Sequence, residues 1–349
     1  MLLARAPTKD QVRRHEQENH ATYAEWCEVC VATKGTGAQH RRRLQTESEE
    51  GPVISSDFFY MSTDEGSVPY LAVRFSRSGR IAGTQLENKG VTAYGVKFFS
   101  RFIEQTGVKR FINKSDGEHA MVALKQAAAR ASPGVEAISR ESPVGDHQAN
   151  GAAESAVRSL KSQMRAVRLA LEKRLGRSLE SDDPVLAWIA TFAGDVIARF
   201  RKGADGKTPW ERETGRKWAG ESLEFGERFY LKESRERGTT KRDWEPRLIE
   251  ARFVGQHART GAMLGLTADG VIYGRLGRRL PAEERWSLEG WDSLKGLPWD
   301  LRPTGRAKPE VVVEAQTGGA ERVAASSWMP SGVCAGAAAP RPQQQEPQR

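Results

Sequence analysis

The chain has six His and three Cys, and four of these nine stand within sixteen positions, in HEQENHATYAEWCEVC from His15 to Cys30. The surrounding segment, 1–45, is polar, rich in His and Arg and poor in apolar residues. Such a segment cannot bury enough surface to fold alone, and a bound metal would repair that. Cys27-x-x-Cys30 offers two thiolates on one tight turn, and zinc closes a tetrahedron with two further N or S ligands. His20 is the third candidate, and His15 and His40 compete for the fourth place. The five-residue step from His15 to His20 does not keep both rings on one helical face, so a bend near Asn19 is required. Three cysteines, the third being Cys334, argue against a disulfide framework and fit a reducing compartment.

A length of 349 residues exceeds one typical core, so two or three domains are expected. Net charge is +9 and the pI about 9.5, which points to a polyanionic partner, nucleic acid before an acidic membrane surface. No run of eighteen apolar residues reads as a membrane span. The start, MLLARAPTKD, has too short an apolar stretch for a secretion signal.

After the linker-like TESEEGP (46–52), the pattern turns regular. VISSDFFYM predicts a strand apolar on both faces, hence central. YLAVRFSRSGRIAGTQL predicts two strands around a Ser78-Gly79 turn. A helix over YGVKFFSRFIEQTG, a strand at KRFINKSDG, a helix at HAMVALKQAAARA and a strand at VEAISRESP follow. The long helix NGAAESAVRSLKSQMRAVRLALEKRLG has Val157, Leu160, Met164, Val167, Leu171 and Leu175 at steps of three and four. PVLAWIATFAGDVIARF predicts another. This order predicts a mixed α/β layer domain over 50–205. Short strands around an Asp269-Gly270 turn predict a small sheet or barrel domain over 222–292. The Pro-, Ala- and Gln-rich 300–349 reads as a disordered tail.

Three acids are candidates for chemistry. Asp57 interrupts an apolar strand, where a carboxylate needs a partner or a cation. Asp116 closes another strand, and Glu154 opens the long helix. Each has an ordinary reading alone: an edge-strand salt bridge, turn chemistry, and a match to the helix dipole. Converging at one sheet edge, they would repel unless divalent metal lay between them, and such a cluster suits a two-metal displacement at phosphorus. Arg158, Lys161, Arg165 and Arg168 step along the same helix, on a face suited to a phosphate backbone. Asp64, Glu65, Glu118 and Asp146 lie near in sequence but read as solvent-facing acids of turns or of a helix start.

At this point the sequence resembles a retroelement integrase of the kind carried in copia-type retrotransposons. His15, His20, Cys27 and Cys30 resemble its N-terminal zinc motif, and H-x-x-Y-x-x-W-C-x-x-C is similar to its local wording. The interval from His20 to Cys27 is much shorter than the usual linker, a departure that bears on the finger's geometry. Asp57, Asp116 and Glu154 resemble the acidic triad of its ribonuclease-H-like core, the last two 38 residues apart. SPVGDHQANGAAES, GKTPWERETGRKW and FGE are similar to family segments. The resemblance spans about 13–290.

It implies a structural Zn²⁺, a catalytic pair of Mg²⁺ or Mn²⁺ ions, and trimming and joining of element 3′ ends to target DNA. It also implies a homo-oligomer, and a nuclear site of action follows from the chemistry. The small β domain would bind DNA through Arg275, Arg278 and Arg279, with Trp244 nearby for stacking. Two other readings stay open: a ribonuclease-H-type nuclease, and a non-catalytic zinc and DNA-binding protein derived from such an element.

Overall fold

The central strand is where the architecture begins. In a computed structural model, β1 (Val53–Thr63) lies third in a five-stranded sheet of order β3-β2-β1-β4-β5, with β2 Gly66–Phe75, β3 Ile81–Gln85, β4 Arg110–Ser115 and β5 Glu136–Glu141. β1, β2 and β3 run antiparallel to one another, while β4 joins β1 and β5 joins β4 in parallel. Its apolar residues serve two cores, as a central strand requires. Ile54 and Phe58 face one, Phe59 the other. The structure describes residues 6–34, 51–63, 66–141, 151–220, 223–234, 244, 246–257 and 260–301. His40, Asp64, Glu65, Asp146 and the tail beyond 301 lie outside them.

Two helices precede the sheet, α1 (Lys9–Gln17) and α2 (Glu28–Lys34). α3 (Ala93–Thr106) and α4 (His119–Arg130) cover one sheet face. α3 begins at Thr92, whose hydroxyl accepts from the Gly95 amide at 3.0 Å, and ends at left-handed Gly107. α5 (Gly151–Leu175) covers the other face with α6 (Ile189–Phe200), which a 3-10 turn at Pro184–Trp188 precedes. The expected stripe of α5 is buried from Leu160 to Leu175, with Val157 half-buried beside it. This is a ribonuclease-H-like mixed sheet with flanking helices.

A short helix, α7 (Pro209–Thr214), leads to a second antiparallel sheet. Its order is β10-β6-β7-β8-β9, with β6 Arg228–Lys232, β7 Ile249–Gln256, β8 Met263–Thr267, β9 Gly270–Gly274 and β10 Leu276–Arg279. It curls until the Ser234 amide donates to the Tyr273 carbonyl at 2.8 Å, which makes it barrel-like. Its Phe229, Leu231, Phe253 and Leu266 join the core that α5 and α6 make with the first sheet.

All described residues except Trp244 belong to one compact unit, Met1–Ser234 with Pro246–Ala315. Trp244 is the one described residue of the other, Arg235–Glu245 with Gln316–Arg349. Among the described residues no helix is long and apolar enough to cross a membrane.

The single strand expected over GVIYGRLGRRL divides at Arg275, and β6 and α7 add to the expected elements. α7 occupies the expected connector, where Thr208 and Glu211 form a capping box and Pro209 opens the helix.

α6 crosses β3 with Gly194 against its backbone: a Cβ there would lie 3.1 Å from the Ala82 Cα and the Ile81 carbonyl oxygen. Backbone cannot yield as a flexible side chain can. Gly194→Ala is expected to cost about 1–3 kcal/mol, an overpacking penalty. Thermal unfolding of the purified chain checks this.

Candidate active site and metal centre

The His/Cys cluster is built by a capped helix, a left-handed turn and a second helix. The Thr8 hydroxyl and the Gln11 side chain cap α1 reciprocally, placing His15 in its last turn. The chain then bends at Asn19 and His20, whose φ values are 51° and 57°. Asn tolerates this conformation better than most residues, and the Asn19 side chain donates to the Gln17 carbonyl at 3.2 Å. The turn brings the His20 amide onto the His15 carbonyl at 3.1 Å and aims both rings at one point. This is the expected bend. Cys27 precedes α2 and Cys30 lies in its first turn.

His20 Nδ1 lies 3.0 Å from His15 Nε2 and 3.3 Å from Cys27 Sγ, and Cys30 Sγ lies 3.3 Å from His15 Nε2. All four ligand atoms fall within 4.8 Å of one another. Metal–ligand bonds of about 2.0–2.3 Å give tetrahedron edges of roughly 3.3–3.8 Å, so the spacing suits zinc. Burial lowers the His20 pKa to about 3 and that of His15 below its usual value, keeping both imidazoles neutral, as a ligand must be. Burial pushes the Cys30 thiol up to about 11, which leaves it to a cation to stabilise the thiolate. The short His20–Cys27 interval is thus sufficient.

The module docks on α5. Cys30 and Val29 pack with Ala166, the Gln163 side chain donates to the Asn19 carbonyl at 2.7 Å, and Lys34 donates to Gln163 and to the His20 carbonyl. Arg174, further along α5, pairs with Glu16 at 3.2 Å and with Glu224 at 3.3 Å. One helix therefore holds the N-terminal module and the start of the C-terminal sheet domain.

Asp57 lies with Phe59 on the α5 face of the first sheet, and the charges of Asp116 and Glu154 reach it. Asp57 pairs across the antiparallel ladder with Ala72. On its other side Ser55 pairs in parallel with Lys114, so two residues further along Asp116 comes alongside. Burial, then the Asp116 charge, push Asp57 up to about 7, with Glu118 and Glu154 adding to the rise. Asp116 Oδ1 is buried without a hydrogen-bond donor. A desolvated, mutually repelling pair with an oxygen lacking a donor fits a divalent cation. Glu154 is exposed in the first turn of α5, and Arg74 of β2 reaches that turn, donating to the Ala152 carbonyl at 3.3 Å. Among the described residues only the His/Cys four already stand as a closed set of metal ligands; the three acids are more open.

Sequence reasoning took Glu118 for a solvent-facing acid. It lies at the start of α4, half-buried, paired with Lys89, and its charge reaches Asp57. No sequence signal reveals this, because Lys89 arrives from the β3–α3 connection.

The basic residues divide. Arg158, Arg165, Arg168, Arg275 and Arg278 are exposed. Lys161 is half-buried, its ammonium 5.6 Å from the Phe59 ring centroid. Arg168 braces its own helix end, donating to Glu172 at 2.9 Å and to the Leu179 carbonyl at 2.7 Å. Arg279 pairs with fully buried Glu227 at 2.7 Å.

The chain matches no protein-family model and no curated protein. Solved structures similar to it include a chain of the simian T-cell lymphotropic virus intasome in complex with PP2A regulatory subunit B56 gamma. That pair shares 13% identity at a TM-score of 0.35, over 77% of this chain and 98% of that one. The catalytic core domain of BIV integrase shares 16% at 0.30, over 46% and 91%. The HTLV-2 integrase catalytic core domain in complex with magnesium shares 12% at 0.33, over 46% and 95%. The fold class stands on the strand order and register above, not on these likenesses.

His15 in the cluster predicts one zinc per chain, lost in His15→Ala and kept in His40→Ala, by metal analysis of the purified proteins. The Asp57 site predicts a pH signature. Its folded pKa is raised from 3.8, so the associated stability is present below that value and lost as pH rises through about 7. Asp57→Asn should therefore raise the melting temperature at pH 8 without added divalent metal and leave it nearly unchanged at pH 4.

Proposed function

We propose that this chain is a retrotransposon-type integrase of the copia kind, a divalent-metal-dependent polynucleotidyl transferase that trims and joins DNA 3′ ends. The carrying observation is the placing of Asp57 on β1 beside Asp116, one residue past the end of the neighbouring β4, one carboxyl raised to about 7 and the other with an oxygen lacking a donor. The sequence resemblance assigns those two roles and adds Glu154 from α5. The clustered His15, His20, Cys27 and Cys30 support a zinc-bearing N-terminal module ahead of the core.

In this reading Asp57 and Asp116 form the fixed half of the metal site, because one lies in β1 and the other directly follows β4. Glu154 is the movable half, exposed on the first turn of a helix whose later turns are locked in the core. A pair of Mg²⁺ or Mn²⁺ ions held there would supply activation of the attacking oxygen and stabilisation of the leaving oxygen. Asp57 must give up its proton to take part, so metal affinity should fall as pH drops below 7. Exposed Arg158 and Arg165 continue from Glu154 along α5 and would hold the phosphates of the incoming strand, with Lys161 between them. Arg275 and Arg278 would hold a more distant stretch of duplex. Arg168 and Arg279, which brace the protein itself, would contribute chiefly to its structure. The site of action would be the nucleus, and the working form a homo-oligomer on DNA.

The test is a strand-joining assay on short duplexes with Mn²⁺. Asp57→Asn, Asp116→Asn and Glu154→Gln should each lose at least about a hundredfold in cutting and joining while still binding DNA. Asp146→Asn should stay within about tenfold of the parent. Cutting without joining would mark a nuclease of this fold. DNA binding without chemistry in the parent would mark a non-catalytic derivative.

A further inference from the structure

On the α4 side of the carboxylates a second group converges that the chemistry above does not use. Lys89, in the bend after β3, ion-pairs with Glu118. Its ammonium lies 5.9 Å from the ring centroid of Phe58 and 5.8 Å from that of Tyr60. Phe58 is buried, whereas Tyr60 is 40% exposed. Among the described residues Tyr60 is the one large apolar side chain of this sheet left so open.

An ordinary surface pair explains this poorly. Lys89 and Glu118 are 37% and 34% exposed, and a pair so placed contributes little to stability. Glu118 stands at the N-cap of α4 yet makes no capping hydrogen bond, so its carboxylate serves Lys89 instead. Glu118 stands two residues past Asp116, between the end of β4 and the start of α4, which sets the group at the rim of the acid site. An open aromatic face beside an ammonium matches a nucleotide, whose base stacks and whose phosphate pairs. Glu118 already fills the place of that anion.

We infer that Tyr60 and Lys89 form a nucleotide subsite for a single-stranded overhang next to the scissile phosphate. The ring takes a base face, the ammonium takes a phosphodiester, and Glu118 holds Lys89 until that phosphate replaces it. The inference rests on the DNA-processing reading and deepens it. A blunt duplex offers no splayed base, so the subsite discriminates between DNA end structures.

The experiment is fluorescence anisotropy of the full zinc-loaded chain, without added Mg²⁺ or Mn²⁺. The probes are a labelled duplex carrying a short single-stranded overhang and the same duplex blunt-ended. Tyr60→Ala should weaken overhang binding about tenfold, the scale of one lost base stack, and blunt binding less than twofold. Tyr60→Phe should bind as the parent. Lys89→Ala should flatten the overhang's logarithmic salt dependence by about 0.7, the share of one single-strand phosphate, and Lys89→Arg should restore it. Glu118→Gln should tighten overhang binding by releasing Lys89, a gain that a folding defect cannot imitate. Parent-like overhang binding and salt dependence in both alanine variants and in Glu118→Gln would overturn the inference. Equal losses on both probes would also overturn it. A parent that joins DNA while these variants match it sinks the subsite alone, whereas a parent that neither binds nor processes DNA sinks the functional reading with it.

Discussion

The apolar stripe of α5 is buried on several sides at once. Leu160, Met164 and Val167 fill the core between the mixed sheet and α6, and Leu171 and Leu175 extend it toward the C-terminal sheet. On its flank, Ala166 receives Cys30 and Val29, while Gln163 reaches the backbone of the His15–His20 turn. Removing roughly five large side chains from water supplies on the order of ten kcal/mol before entropy is set against it. That burial decides where Glu154 stands. Ala153 and Ala156 hold the first turns against the protein, and Glu154 between them is exposed, so its side chain is free to turn toward Asp57 without the helix moving.

Repulsion shapes the rest of the site. Asp57 and Asp116 are drawn together by sheet register, which the local sequence cannot change without moving the core. The sheet tolerates the conflict because Asp57 can hold a proton near neutrality, a state that a divalent cation would replace. In the His/Cys module the same logic runs through neutral groups: burial keeps the imidazoles unprotonated and the Cys30 thiol protonated. In each place burial opposes the charged form, and a bound cation would offset that cost.

Much of this was legible in the sequence, for identifiable reasons. Each core strand and helix carries its own period, and Gly107 and Asp183-Pro184 mark ends that need no tertiary information. The bend at Asn19 followed from the spacing of His15 and His20. What local pattern could not give depends on distant partners. β6 is five residues of alternating pattern, recognisable only once β7 and β10 flank it. Arg168 and Arg279 look like the neighbouring arginines in sequence, but Glu172, Leu179 and buried Glu227 claim their guanidiniums. Glu118 reads as a helix-start acid until Lys89 is brought beside it by the turn after β3. The α1 helix escaped notice because its burial comes from the cluster and α5 rather than from an apolar stripe of its own.

The curl of the C-terminal sheet bears on how the chain fares among other proteins. A flat antiparallel sheet exposes two rows of unpaired amides and carbonyls that invite foreign strands. Here the end of β6 turns to bond β9 through Ser234 and Tyr273, and the remaining edge strand, β10, is four residues long and carries Arg278 and Arg279. Short length, curvature and like charge all oppose edge-to-edge pairing. Copies of the chain can then crowd together at high local concentration without their β domains fusing into larger sheets.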